Sequence, residues 1–175
     1  MTALDGTIFF RIGIPVKDAR LNLSDFLPYL VNRVGVIIAE QFGAQALAPH
    51  RISIAMWRVM AVLASAGAQR QIDLADLTSI DVSTLSRIVT RLARMGLASR
   101  ARSENSNREV VVSLSPKGSA LVARLIPQAR EIEADAAAGL SSEELAVVKR
   151  CLRRIYGNMK DRSAGAGKSS QKRAV

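Results

Sequence analysis

The chain has very few of the residues that build metal centres, disulfides and nucleophilic active sites. Its 175 residues include one cysteine, Cys151, and one histidine, His50. One cysteine excludes an intrachain disulfide, and this pair cannot supply a zinc site made from Cys and His clusters. There is also no glycine-rich phosphate loop and no evident nucleophile–base pair. The sequence therefore predicts no enzyme activity, no catalytic residue, no metal site and no cofactor.

Aromatic residues and long apolar runs are scarce as well. Only 4% of the residues are aromatic, although 49% are hydrophobic. Packing must then depend on alanine and leucine, which favours helices over a sandwich or a barrel. No stretch is long enough to span a membrane, because Arg11 interrupts the apolar run from Ile8 to Val16. We expect a cytoplasmic protein without a membrane partner.

Positive charge is abundant and unevenly placed. The formal net charge is +10, divided as zero over residues 1–50, +5 over 51–118, +1 over 119–159 and +4 over 160–175. An excess of this kind suggests a polyanionic partner, although it says nothing about the fold. The middle of the chain carries most of it.

Periodicity and capping signals divide the chain into three parts. We expect an N-terminal arm over 1–20, a folded domain over 21–160, and a disordered basic tail over 161–175. Within the domain, apolar helices over about 24–48 and 119–160 flank a segment, about 51–118, in which short helices precede a β-hairpin. Asp73, Asp81 and Ser115 are predicted to cap helices, and Ser141 with Glu144 forms a capping box. The fold class is mainly α with a small β-hairpin wing.

The helix predicted from Asp81 to Met95 has two contrasting faces. Leu85, Val89 and Leu92 share one face and should be buried. Small hydroxyls near the N-terminus, followed by arginines, suit a helix that enters the major groove of DNA and contacts bases or phosphates. The predicted DNA-binding residues of this helix are Ser83, Thr84, Ser86, Arg87, Thr90, Arg91 and Arg94.

After Gly96 the apolar period changes from 3.6 to 2, which predicts a hairpin of strands Leu97–Arg102 and Glu109–Leu114. A basic hairpin beside a recognition helix suits phosphate clamping or insertion into the minor groove. The hairpin residues predicted to bind DNA are Arg102, Asn105, Asn107 and Arg108. An arginine-rich face or a polar hairpin tip is ordinary when it occurs alone. Their combination, in this order along the chain, predicts a DNA-binding module.

Two blocks of sequence resemble the winged helix-turn-helix of the MarR family of bacterial regulators. One runs from Asp81 to Leu97, with the core Asp-Val-Ser-Thr-Leu-Ser-Arg-Ile-Val, and the other from Arg108 to Gly118, ending Ser-Pro-Lys-Gly. The flanking helices also fit the family layout, so the resemblance covers about residues 24–160. It implies a winged helix-turn-helix joined to a helical dimerisation domain.

The resemblance also implies partners. Family members are homodimers that bind double-stranded DNA, and Arg108 matches the wing arginine that enters the minor groove. The family commonly has Asp two residues before this arginine, where this chain has Ser106, so Glu104, Asn105 or Asn107 would have to brace it. Small anions or phenolic compounds bind between the dimer and DNA-binding parts in the family, which gives a preference for an aromatic acid or its thioester as effector.

Several residues have two interpretations. Trp57 could line an effector pocket with Tyr29, Arg33 or Met60, or it could simply pack in the core or an interface. Apolar residues of the last helix recur every three or four positions as a heptad-like seam: Leu145, Val148, Leu152, Ile155 and Met159. Cys151 could be a redox switch, but its place beside the Val148–Ile155 part of this seam favours burial. His50, next to Pro49, is expected at a helix end rather than as a ligand.

The sequence as a whole predicts a sequence-specific transcriptional regulator, a repressor that a small effector releases. It would act as a homodimer on a pseudo-palindromic operator. The alternative from another class is a nonspecific architectural DNA-binding protein, which would bind all duplexes with similar affinity.

Overall fold

The computed structural model describes the backbone of residues 21–103 and 106–171 and the side chains of 21–101 and 109–162. The chain divides into two compact units, and the boundary in the sequence falls between Ile37 and Ile38. The predicted N-terminal arm, 1–20, and the last four residues, 172–175, lie outside the described part. The helices are α1 (Leu27–Phe42), α2 (Ile54–Ala66), α3 (Gln71–Thr78), α4 (Val82–Arg94), α5 (Pro116–Ala136) and α6 (Ser142–Gln171), and the strands are β1 (Gln69–Arg70), β2 (Ala98–Ser103) and β3 (Ser106–Leu114).

The first predicted helix is segmented. α1 ends at Phe42 and is followed by a π-helical turn, Gly43–Leu47, and a 3-10 turn, Ala48–His50. Arg51 then takes a left-handed conformation, with φ of 56°, and the chain turns into α2. His50 therefore lies at a helix end, as its position beside a proline predicted.

The core is built by α2, α4, α5 and the sheet. Fully buried side chains come from every one of these elements, among them Val59, Leu85, Leu92, Val112 and Leu125. Burying each Leu or Val contributes roughly 1.5–3 kcal/mol, so this core stabilises the segment that carries α4.

Serine side chains cap two of the helices. Ser115 accepts from the Gly118 amide (3.0 Å), as predicted, and Ser53, which was not predicted as a cap, accepts from the Met56 amide (3.2 Å). The capping box at α6 is complete, because the Ser141 amide donates to Glu144 and the Glu144 amide donates to the Ser141 hydroxyl. The prediction for Asp73 is wrong: α3 begins two residues earlier, at Gln71, and the Asp73 carboxylate binds Arg70 instead.

The sheet has three antiparallel strands in the order β1-β3-β2. The two-residue strand β1 was not predicted, because two residues are too few to show a period; only the pairing of Gln69 with Val112 and of Arg70 with Val111 defines it. β3 begins at Ser106 rather than Glu109, which shortens the predicted turn.

The last helix differs from its prediction in two respects. It continues to Gln171, whereas the sequence predicted a disordered tail from 161; no proline interrupts 161–171, so helical hydrogen bonds can propagate from the preceding turns. Cys151 is exposed in the single chain, which corrects the prediction that it is buried, since none of the described elements covers that part of α6. A Lys149–Glu133 ion pair (2.5 Å) joins α6 to α5. Within the described residues, no helix is long and apolar enough to cross a membrane.

Candidate nucleic-acid interface

α4 separates its buried and open faces completely. Leu85, Val89 and Leu92 are 0% exposed. Ser83, Arg87, Arg91 and Arg94 are exposed on the rest of the helix, and Thr84, Ser86 and Thr90 are half-buried. The fully packed face fixes the orientation of the helix, so the exposed polar side chains are presented from a rigid support.

Asp81 organises the N-terminus of α4. Its Oδ1 accepts from the Ser83 hydroxyl (2.7 Å) and from the Thr84 amide (2.9 Å). These hydrogen bonds hold the pKa of the Asp81 carboxyl well below its usual range, and the bond from the Ser83 hydroxyl contributes most to that lowering. The cap thereby stabilises the first turn of α4, and the predicted DNA contact Ser83 is positioned by it.

Thr90 takes part in a hydrogen-bond network that connects α4 to β2. Its hydroxyl donates to the Ser86 carbonyl (2.8 Å) and accepts from Arg100 on β2 (3.0 Å). The Arg100 guanidinium also donates to Gln71 at the start of α3 (3.2 Å). Arg100 therefore joins α4, β2 and α3, a role that sequence reasoning missed because its partners lie 10 and 29 residues away.

Among the described residues, the α4 arginines have no carboxylate partner. The ion pairs among the described residues are those of Arg70 with Asp73 and Glu109 and that of Lys149 with Glu133. Arg87, Arg91 and Arg94 occupy positions i, i+4 and i+7, so they extend over about 10 Å of one helix face. An unpaired row of guanidinium groups on this scale suits the phosphates and base edges of DNA.

Arg70 connects the base of the wing to α3. Its guanidinium donates to both carboxylate oxygens of Asp73 (2.6 and 3.0 Å) and to Glu109 of β3 (3.1 Å). The hydrogen bond to Asp73 is the largest cause of a raised pKa for Arg70. This cation is thus engaged within the protein, unlike those of α4.

The wing is formed by β2 and β3. Their register shifts between Arg102, which pairs with Val110, and Ser103, which pairs with Ser106. Such irregularities redirect the side chains that follow. Asn105 lies outside the described residues, and the side chains of Arg102, Asn107 and Arg108 are also outside the description, so these four stay predictions.

The predicted effector residues fall in different surroundings. The Arg33 guanidinium lies 5.6 Å from the centre of the Tyr29 ring, a cation–π arrangement on α1. Trp57 is half-buried and packs edge-on against Phe42, with ring centres 5.2 Å apart. Met60 is fully buried in the core. Trp57 and Met60 therefore have packing roles whatever else they do.

Comparison with known proteins places this geometry among bacterial regulators. Residues 52–110 match the sequence profile described as the MarR family. The HTH-type transcriptional repressor NicR of Pseudomonas putida is 30% identical over 151 residues, which cover 86% of this chain and 94% of NicR.

Two solved structures share the fold over most of the chain. A MarR family transcriptional regulator from Silicibacter pomeroyi has a TM-score of 0.72 and 29% identity, covering 87% of this chain and 99% of that one. Bordetella bronchiseptica BpsR, whose DNA binding is regulated by 6-hydroxynicotinic acid, has a TM-score of 0.67 and 26% identity, covering 74% and 97%. All three similar proteins are described as regulators or by their DNA binding, and none as an enzyme.

Proposed function

The chain is a DNA-binding transcription regulator that belongs to the MarR family, and from that premise we propose that it represses transcription as a homodimer whose DNA binding a small effector weakens. The observation that carries the proposal is α4. Leu85, Val89 and Leu92 on its apolar face are fully buried, and its opposite face presents arginines that have no ion-pair partner among the described residues. A helix so held can enter a major groove without losing its own packing.

We assign distinct roles along α4 and the wing. Ser83, Thr84 and Arg87 lie in the N-terminal half and are the candidates for base contacts, while Arg91 and Arg94 contact phosphates. Thr90 supports the helix through Ser86 and Arg100, so its part in binding is indirect. The wing would contact the adjacent DNA backbone or minor groove through Arg102, Asn105, Asn107 and Arg108.

The dimer is supported by apolar faces that one chain leaves open. Val34 and Ile37 of α1 are 55% and 49% exposed, and Val148 and Leu152 of α6 are 43% and 42% exposed. A second copy of the chain would bury these faces and gain about 25 cal/mol for each Å² of apolar surface covered. Twofold symmetry would then place two α4 helices on successive major-groove faces, roughly 34 Å apart, of a pseudo-palindromic operator.

The effector proposal is an aromatic acid or its thioester. Arg33 supplies a cation beside the Tyr29 ring, and this pair suits the carboxylate and the ring of such a compound. The two DNA-binding parts of a dimer can adopt a spacing that fits the operator and a spacing that does not. Such a compound weakens DNA binding only if its affinity is higher for the spacing that does not fit. The similarity of this chain to NicR, a transcriptional repressor, and to BpsR supports regulation by a small molecule. The ligand named for BpsR, 6-hydroxynicotinic acid, is an aromatic acid.

The test compares Arg87→Ala with Arg153→Ala, which removes the same charge from the exposed face of α6. Fluorescence anisotropy on the DNA upstream of the chain's own gene, with a scrambled duplex as competitor, measures specificity. If Arg87 contacts a base, Arg87→Ala loses roughly 1–3 kcal/mol of discrimination between the two duplexes. Arg153→Ala should retain it.

Two results would overturn parts of the proposal. Equal affinity of the wild-type protein for both duplexes would favour the nonspecific architectural protein. If Arg87→Ala only reduces the salt slope by about one unit, Arg87 contacts a phosphate and the base contact is wrong.

A further inference from the structure

A hydrogen bond joins α6 to the turn between α3 and α4. The hydroxyls of Tyr156 and Ser79 lie 3.2 Å apart, and either can donate to the other, although the residues are 77 positions apart in the sequence. The Lys149–Glu133 ion pair also holds α6, but nearer its N-terminus and against α5. The Tyr156–Ser79 bond therefore connects α6 to a different part of the fold, the turn that leads into α4.

This bond crosses an open cleft between the α3–α4 turn and α6. The cleft has a volume of about 430 Å³, and the residues that line it come from both sides: Ala75, Asp76, Ser79, Ile80, Tyr156, Met159 and Lys160. Tyr156 is 55% exposed, so the core does not fix its ring. Because the cleft leaves space between the two elements, a directed bond across it contributes to their relative placement in a way that close packing would elsewhere.

Ser79 has a backbone conformation that favours glycine. Its φ is 54° and its ψ is 39°, in the left-handed region. The Ser79 amide donates to the Asp76 carbonyl (3.3 Å) and the Ile80 amide donates to the Ala75 carbonyl (3.1 Å), which is the pattern of a helix that ends at a left-handed residue. Glycine takes this conformation without the steric cost that serine has. The bond from its hydroxyl to Tyr156 gives a physical reason for a side chain at this place.

The bond lies close to both functional regions of the chain. Ser79 comes two residues before Asp81, the N-cap of α4. Tyr156 comes one helical turn after Leu152, which belongs to the exposed apolar face of α6. Two residues are too few to absorb a displacement of the turn, so a shift of the turn relative to α6 would also shift the N-terminus of α4.

We propose that Tyr156 is a positioning residue for operator binding. Its bond to Ser79 holds the N-terminus of α4 in a fixed place relative to α6, and in a dimer this sets the distance between the two α4 helices. The inference rests on the proposed function, because such a distance exists only in a dimer that reads two half-sites. Tyr156 acts on the accepted spacing of the half-sites and not on the preferred bases, since the exposed face of α4 stays as it is.

The experiment measures fluorescence anisotropy of the full chain on the duplex that it protects upstream of its own gene. A second duplex has one base pair inserted at its centre, which moves the half-sites about 3.4 Å apart and rotates them by about 34°. Tyr156→Phe keeps the ring and removes the hydroxyl, and Ser79→Ala removes the partner hydroxyl. The double variant completes the cycle. Ser119→Ala, which removes an exposed hydroxyl from α5, is the matched control, and circular dichroism checks that all variants fold.

We expect Tyr156→Phe to reduce the preference for the original spacing by about tenfold, because a dimer loses two bonds and each neutral hydrogen bond contributes a few-fold. Its preference against a duplex with one substituted half-site base should equal that of the wild type. Ser79→Ala and the double variant should match Tyr156→Phe, since each removes the same bond. Ser119→Ala should match the wild type.

Three results would overturn the proposal. Tyr156→Phe could keep the wild-type spacing preference, or it could weaken binding to all duplexes equally, which would indicate a general loss of structure. The effects of the two single changes could also add in the double variant, which would show that the two hydroxyls act separately.

Hydrogen exchange of the free protein distinguishes failure of this inference from failure of the proposed function. The peptide 75–81 contains the Ser79 and Ile80 amides, and its exchange should be about threefold faster in Tyr156→Phe, while peptides from α5 exchange as in the wild type. Faster exchange in a chain that prefers no duplex would refute the proposed function, and the spacing role with it, while the bond stands. Unchanged exchange in the turn would refute the bond itself, whatever the chain binds.

Discussion

The segment around α4 and the helix α6 contain similar apolar residues at similar helical spacing, yet they differ sharply in exposure. Leu85, Val89 and Leu92 of α4 are 0% exposed, whereas Val148 and Leu152 of α6 are 43% and 42% exposed. The difference arises from neighbours: α4 packs against α2, α3 and β2 of the same chain, whereas α6 makes few contacts with the other described elements. An apolar stripe on a helix thus predicts that the face will be buried. It does not say whether the same chain or a second copy buries it.

This contrast corresponds to two tasks. DNA reading needs side chains on a support that is rigid before the partner arrives, and α4 has it. Association of two copies needs apolar surface that the single chain does not cover, and α1 and α6 have it. Substitutions in the two regions should therefore affect different measurements, and three predictions follow from that difference, in order of decreasing effect.

Gly118→Ala should damage the packed region most. The new Cβ would meet the Leu97 carbonyl, which is backbone and cannot turn aside, so α5 must shift away from the α4–β2 connection. We expect the free energy of unfolding to fall by about 3 kcal/mol, measured by urea denaturation. Ser119→Ala, at an exposed position one residue later, is the control. Equal midpoints for the two variants would show that this contact is looser than described.

Leu152→Glu should act on α6 while leaving the packed region folded. A carboxylate in the middle of the Val148–Ile155 seam would have to be buried on dimer formation without a partner. Sedimentation equilibrium should show a monomer with an unchanged circular dichroism spectrum, and affinity for a two-site operator should fall by about 100-fold. Ala146→Glu introduces the same group off the seam and should remain dimeric. A Leu152→Glu dimer would refute the assignment of α6 to the interface.

Asp81→Asn should have the smallest effect, seen as a weaker dependence of stability on pH in the acidic range. The carboxyl has a lowered pKa in the folded chain, so its stabilisation is fully present above its ordinary value of 3.8 and is lost as the pH falls through the folded value. In the wild type, urea midpoints should therefore decrease between about pH 4 and pH 2 more steeply than in Asp81→Asn. Asp76→Asn, also exposed and in the neighbouring helix α3, is the control. Parallel curves for all three proteins would contradict the role of the cap.

Short-range signals made most of the fold predictable. The N-caps Asp81 and Ser115 bind amides only three residues away, so the sequence contains both partners of each bond. Ser53 and the Ser141–Glu144 box follow the same rule. The prediction for Asp73 failed because a competing partner, Arg70, also lies three residues away, and a salt bridge replaced the cap.

The exposed face of α4 was predictable from the sequence, but the hydrogen bonds that hold α4 in place were not. The face of α4 that carries Arg87 follows from the helical period alone. Arg100, by contrast, carries the same charge as Arg87 in the sequence, but in the structure it bonds Thr90 and Gln71 within the protein. The sequence alone cannot distinguish an arginine that contacts DNA from one that holds α4 in place, because the difference depends on partners that only folding brings close.

The sequence by itself therefore determined the order of the helices, the caps at Asp81, Ser115 and Ser141, and the two faces of α4, since each depends on residues within one or two turns of one another. Only the tertiary structure decided the pairing of Gln69 and Arg70 with β3, the exposure of Cys151, and the hydrogen bonds that Arg100 makes to Thr90 and Gln71. The strand pairing joins residues 43 positions apart (112 − 69). Such distances have no signature in local periodicity, because they are set by how the helices and the sheet pack around a common core.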